Sequence, residues 1–352
     1  MKALVAAVRH ALPDAVLDND QLASEYVGWS AERIYAATGI RARRIAASGE
    51  CASDLAVRAA QTLIRDTGLK PGSVDFLLYC TQTPDYILPT TACTLQHRLG
   101  LPISCGALDF NLGSSGYVYG LGLAKALIDG GQAHTVLLLT GDTYSKLIHP
   151  SDKSVRMIFG DGASATLVVA NERETLIGPF VYGTDGAGAE NLIVPTGGMR
   201  RAVERDATAV SDESGNERTI NDLYMSGTGI FTFTLRAVPR AVDQLCETAE
   251  LDRGTVDLFI FHQANGFILD HLRRKLRIPA EKFVVALEDV GNTAASSIPI
   301  ALEEAERKGQ LQPGALVMLV GFGGGCSWAA TLLRWEGYCR PHGPSNSTIQ
   351  SS

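Results

Sequence analysis

Apolar residues along this chain fall into two recurring textures. The first is a short continuous run, as in "FLLYC" at residues 76–80, "TVLLLTGD" at 135–142, "FIF" at 259–261 and "ALVMLV" at 315–320. Runs of this length bounded by Gly, Asp or Ser predict strands buried on both faces. The second has helical period, as at residues 118–128, directly after a strand-like run at 106–110. The opening "MKALVAAVRHALPDAV" reads as a first strand, because Arg9 and His10 break an apolar stretch that a signal peptide would continue. Strand-like and helix-like segments alternate over most of the length, which predicts an α/β fold.

The pattern also repeats. "LKPGSVDFLLYC" from Leu69 and "LDRGTVDLFIFH" from Leu251 share L-x-x-G-[ST]-V-D-[FL]. "LGSSGYVYGLGLAKALIDGGQ" from Leu112 then parallels "VGNTAASSIPIALEEAERKGQ" from Val290, and "TVLLLTGD" parallels "LVMLVGFG". Three matches in one order at nearly constant offset predict two similar α/β halves packed together. One half covers residues 1–170 and the other 171–337, each with a mainly parallel sheet. The polar segment 338–352 reads as a flexible tail. In such folds the site lies beyond the carboxyl ends of strands, where loops of both halves meet. The repeat superimposes Ser114 on Asn292, so two helix starts are expected to face one pocket.

Composition narrows the function classes. A net charge of −7 argues against nucleic acid as the main partner. No run reaches the roughly 18 apolar residues of a membrane span. The seven cysteines form no CxxC pair and no His/Cys cluster has zinc spacing, so reduced thiols in a cytoplasmic protein without a metal are expected.

Four stretches can carry chemistry. "DFNLGSSGY" at 109–117 is a small-residue elbow between strand and helix, the place of a nucleophile, and it holds serines. "FIFHQANGF" puts His262 just past a strand, either facing a cleft or buried in the core. "GNTAASSIP" supplies Asn292, an amide donor or a helix cap. "GFGGGCSW" is a glycine turn with backbone N–H groups that suit an oxyanion hole or a tight turn. In "IFGDGASATLVV", Phe159 is a candidate pocket wall, and Asp161 reads as structural.

Together "FHQAN", "GNTAAS", "FGDGA" and "GFGGG.SW", with His262 and Asn292 30 residues apart, resemble the thiolase superfamily and within it the β-ketoacyl-acyl-carrier-protein synthase III group. The resemblance runs from "ATGIRARRIA" at 37–46 to "GFGGGCSWAATLLRW" at 321–335. It implies a thiolase fold, a layered αβαβα sandwich of two pseudo-symmetric halves, acting as a homodimer. It implies acyl transfer from acyl-coenzyme A or acyl carrier protein (acyl-ACP) to a cysteine, then decarboxylative condensation with malonyl-ACP, with no tightly bound cofactor. The oxyanion donors would be the N–H groups of Ser114 and Gly324, and the enolate donors His262 and Asn292.

This chain departs from the family at the nucleophile, where Ser114 stands in the cysteine's place. Ser114 is then an engineered replacement, a natural serine of a starter-unit enzyme, or the mark of an inactive homologue. A related reading is acyl transfer to an oxygen or nitrogen acceptor; retention of Asn292 favours condensation. At the mouth, the family's adenine-stacking Trp becomes Arg33 and a nearby Arg becomes Ala37, while Thr38 and a basic Lys153 are kept. Phe267 replaces an Arg after the HQAN motif, and Phe231 is a further pocket candidate. Leu88 would close the acyl pocket across the dimer. Arg273, Arg274 and Lys275 would dock the carrier protein, and the polar excursion 197–225 would cover a channel.

Overall fold

The structure, a computed structural model, describes residues 1–172 and 176–337; the expected tail at 338–352 lies outside the described residues. The first sheet contains β1 (Lys2–Ala11), β2 (Phe76–Cys80), β3 (Gly106–Phe110), β4 (Thr135–Asp142) and β5 (Gly162–Asn171), in spatial order β1-β5-β4-β2-β3. The second contains β6 (Ile177–Thr184), β7 (Leu258–Phe261), β8 (Leu316–Gly323) and β9 (Ser327–Arg334), in order β7-β8-β9-β6. Each strand of the second sheet has a counterpart in the first. The place of β3 is taken by Phe283, which bridges Phe259 in parallel.

The sheets are mixed, not mainly parallel. β2 runs parallel to β3 and β4, and β7 to β8. The pairs β1–β5, β4–β5, β8–β9 and β9–β6 are antiparallel. The reason is connection length. Only Gly324–Cys326 separates β8 from β9, whereas a parallel crossover needs roughly a dozen residues or more.

The main helices of the layers are α1 (Ala52–Thr67), α2 (Gly116–Asp129), α3 (Gly227–Thr248), α4 (Gly266–Lys275) and α5 (Ser297–Arg307), with the short helix Thr91–Arg98 beside α1. α1 covers the outer face of the first sheet, and α3 and α4 cover the outer face of the second. α2 and α5 lie between the sheets, where Tyr117, Leu121, Ile298 and Leu302 pack with inward residues of both. The buried strands show why their sequence is continuously apolar. Along β4, Val136 and Leu138 join the central core while Leu137 and Leu139 join the outer one. β8 divides in the same way, with Val317 and Leu319 inward and Met318 and Val320 outward. A period of two with apolar layers on both sides leaves no polar face. The result is an αβαβα sandwich whose strand ends β3, β7 and β8 approach one another.

Candidate functional site

β3 ends at Phe110, and the chain turns through residues 111–115 into α2, with Ser115 at its N-cap. The two serines of the elbow have different fates. Ser115 is fully buried, and its Oγ lies 2.7 Å from Ser327 Oγ at the start of β9. Ser114 faces a cavity. β8 passes so close behind the elbow that a β-carbon at Gly321 would lie 2.8 Å from the Ser114 carbonyl oxygen. Only glycine permits that approach. Gly324 follows at the turn, beside the Leu192 side chain.

His262 comes immediately after β7, and its backbone N–H donates to Val320 O at 2.8 Å, extending the parallel ladder. The ring is buried edge-on against Phe322, with Nδ1 2.7 Å from Ser297 Oγ. Burial pushes its pKa down to about 3, so the imidazole is neutral.

Asn292 was expected at a helix start. Instead it pairs with Phe159 as a parallel bridge: Asn292 N–H donates to Ile158 O at 2.9 Å, and Gly160 N–H donates to Asn292 O at 3.0 Å. The extended bridge delays the helix. A 3₁₀ turn, Ala294–Ser296, intervenes, and α5 begins at Ser297. Asn292 Oδ1 accepts the Ala294 N–H at 3.0 Å, which leaves its NH₂ as the free side of the amide.

Ser114, His262 and Asn292 meet at one cavity of about 220 Å³, walled by Tyr144, Phe159, Leu192, Met225, Ile230 and Ile268. A wider groove of about 720 Å³, near Asp243, Arg253 and Lys282, lies apart from them, and the pKa of its thiol, Cys246, is raised by burial. Cys80 sits beneath the elbow with its thiol 3.1 Å from Leu112 O, and burial pushes it well above the ordinary range. No described cysteine replaces Ser114 as a nucleophile. Asp161 accepts hydrogen bonds from Ala46 N–H and from Ser145, which ties loops together.

The remaining candidates lie outside the cavity lining. The Thr38 hydroxyl donates to Ile34 O and accepts from Ile40 N–H, so it finishes a helix. Lys153 donates to Gly215 O at 2.6 Å, a residue of the polar excursion. That excursion is anchored by Arg218 to buried Asp152 at 2.8 Å, and its end, Leu223 and Met225, packs with Tyr144 and Phe159. Leu88 is 80% exposed on a surface loop. Phe231, half-buried, stacks on exposed Phe267, and His271 meets Phe231 edge-on and Phe267 at a tilt. Arg273 and Arg274 both pair with Asp270, and Lys275 donates to Leu235 O. Arg33 lies over the Trp29 ring at 4.4 Å. Tyr144, Leu192, Met225, Ile230 and Ile268 of the cavity wall, and Ser297 behind His262, had no sequence signal of their own. Ser297 stands within "GNTAASSIP", where its motif neighbours drew attention first.

A family model described as 3-oxoacyl-[acyl-carrier-protein (ACP)] synthase III matches residues 108–186, and the one for its C-terminal part matches residues 246–335. The chain is 38% identical over 333 residues to the beta-ketoacyl-[acyl-carrier-protein] synthase III of Xylella fastidiosa, covering 95% of this chain and 98% of that one. A crystal structure of a 3-oxoacyl-(acyl-carrier-protein) synthase III superposes with a TM-score of 0.94 at 53% identity, over 95% of this chain and 100% of the other. The 3-oxoacyl-(acyl-carrier protein) synthase of Burkholderia xenovorans gives 0.88 at 38% identity, over 96% and 95%.

Proposed function

The chain belongs to the 3-oxoacyl-[acyl-carrier-protein] synthase III family, and from that premise we propose that the Ser114 cavity serves acyl transfer and decarboxylative condensation. An acyl thioester of coenzyme A or a carrier protein gives its acyl group to residue 114, and the donor thiol leaves. A malonyl-ACP then enters. Its thioester oxygen takes N–H donors from His262 and Asn292 while carbon dioxide departs and the enolate forms. The enolate carbon attacks the acyl carbonyl, whose oxygen is held by the N–H groups of Ser114 and Gly324, and a β-ketoacyl thioester is released. The observation that carries this reading is the pairing of a neutral His262 with an Asn292 amide whose oxygen is already engaged, on one cavity with Ser114. Asn292 offers its NH₂, and the neutral ring offers a donor where its hydrogen sits on Nε2.

The same chemistry makes Ser114 the weak step. A helix N-terminus lowers the pKa of a thiol enough to ionise it, whereas a serine hydroxyl needs a base. We propose that loading stalls at Ser114 and that Ser114→Cys restores it. Intact mass after incubation with a panel of acyl-coenzyme A and acyl-ACP donors tests this. The cysteine form gains the acyl mass and the serine form does not. An adduct on the serine form would make it a serine-dependent transferase and reassign His262 as its base.

The resemblance puts Arg33 where the family has its adenine-stacking Trp, and its guanidinium here lies over Trp29, which supports carrier-bound donors over free coenzyme A. The working unit is a homodimer in the cytoplasm. β3 is an unpaired sheet edge with Leu108 exposed, and Tyr86, Ile87 and Leu88 are exposed on the adjacent loop, an apolar surface suited to a second copy. A monomer in sedimentation would reject that assembly. Among the described residues no helix is long and apolar enough to cross a membrane.

A further inference from the structure

Ser297 begins α5, is buried, and makes two contacts through its hydroxyl. Its Oγ lies 2.7 Å from His262 Nδ1 and 3.3 Å from the Gln263 backbone nitrogen. The Gln263 amide can only donate, so Oγ is an acceptor there. That amide is fixed in place, because the Gln263 side chain donates to Phe261 O at 2.7 Å and accepts from Ala286 N–H at 2.8 Å. Of the two contacts, only the lone pair of Nδ1 can accept the Ser297 hydroxyl hydrogen. The opposite arrangement, with Nδ1–H donating to Oγ, gives that oxygen two donors and leaves a buried hydroxyl hydrogen without an acceptor. An unmade buried bond is the costlier choice.

We propose that Ser297 is a positioning residue: by donating to Nδ1 it fixes His262 as the Nε2–H tautomer, presenting a donor to the cavity and denying Ser114 a base. The inference rests on the reading of the site as a condensing centre, and it explains why one ring performs one half of the chemistry and not the other. With Nδ1 accepting from Ser297, the ring's remaining polar atom carries a hydrogen. It stabilises a developing enolate oxygen, but it has no lone pair with which to take the Ser114 proton. The hydrogen bond at Nδ1 thus sets what the other ring nitrogen can do, as it does for histidines held by an outer hydrogen bond elsewhere.

The test combines a spectroscopic readout with a chemical one. In protein labelled with ¹⁵N-histidine, the His262 ring signals are assigned by their loss in His262→Gln. The unmodified protein and Ser297→Thr, which keeps the hydroxyl, show the Nε2–H tautomer. Ser297→Ala shows a mixture or the Nδ1–H form. In parallel, release of carbon dioxide from malonyl-ACP falls about tenfold or more in Ser297→Ala, short of the roughly 10²–10³-fold cost of losing such a donor outright, and is retained in Ser297→Thr. An Nδ1–H tautomer in the unmodified protein overturns the proposal, whatever the variants do. So does Ser297→Ala keeping both tautomer and rate. A tautomer that follows residue 297 while no form releases carbon dioxide upholds the role of Ser297 and rejects the condensing reading instead.

Discussion

His262 carries its burial as a pH liability. Its folded pKa lies near 3 against an ordinary 6.5, because the charged ring would lose its water. Below pH about 6.5 the unfolded chain binds a proton that the folded site refuses, so stability falls as pH drops from about 6.5 toward 3. The cost between neutrality and pH about 5 is on the order of 2 kcal/mol. Asp142 works in the opposite direction. Burial pushes its pKa up to about 7 from 3.8, so its proton is held in the folded state and stability falls as pH rises through that window. Replacing only the histidine isolates its share: His262→Gln flattens the acid side of a Tm-against-pH curve, and an unchanged slope rejects the account. At this scale the sequence indicated residue types better than pairings. Ser114 and His262 stand in motifs because each follows a strand, Asn292 is bridged to Phe159, and the fold brings the three to one cavity. Thr38 also stands in a family position, but a backbone carbonyl one turn away takes its hydroxyl. Tyr144, whose ring lies 5.0 Å from Phe159 and whose phenol donates to Gln82, belongs to the cavity wall through packing that no spacing announces.

The polar excursion at 197–225 is an element held down by charge. Arg218 reaches Asp152, which is buried, and Asp212, which closes its own turn with Asn216. Lys153 and Ser151 hold the strand pair Val210–Ser211 and Glu217–Arg218 from below. Arg218→Ala leaves the Asp152 carboxylate buried beside its helix-cap contact to Ser154 alone. The expected loss is about 2 kcal/mol of stability, with faster protease cleavage within 205–217 than in the parent. Equal cleavage rates would show that the ion pairs do not pin the segment. Elements were legible where one rule governed them. The continuous apolar runs became two-sided buried strands, and α2, apolar on nearly every face, became an inner helix. The parallel sheets were over-read, because a three-residue turn between β8 and β9 fixes direction more firmly than the buried-strand composition does. The late start of α5 was hidden as well. A two-residue bridge between Phe159 and Asn292 is a tertiary contact, and it overrides the helix preference of the alanines that follow.

Across the whole molecule the internal repeat led to the expectation of two similar α/β halves, and the two sheets do share one strand order, which the repeat had not specified. What it could not convey is how the inner layer is divided. α2 comes from the first repeat and α5 from the second, and each packs against both sheets. Ser115 is tied to Ser327, and Ser296 to Thr140, so hydroxyl pairs cross the same boundary that the apolar contacts cross. This shared layer bears on heredity. The two matching halves do not possess separate interiors, and a substitution in the lining of one is felt in the wall of the other. Recombination between relatives at the midpoint of the gene would join an α2 and an α5 that never co-adapted, while exchange of the outer α1 would leave the inner lining untouched. The halves match as symmetry, but the matched inner lining is inherited only with the whole chain.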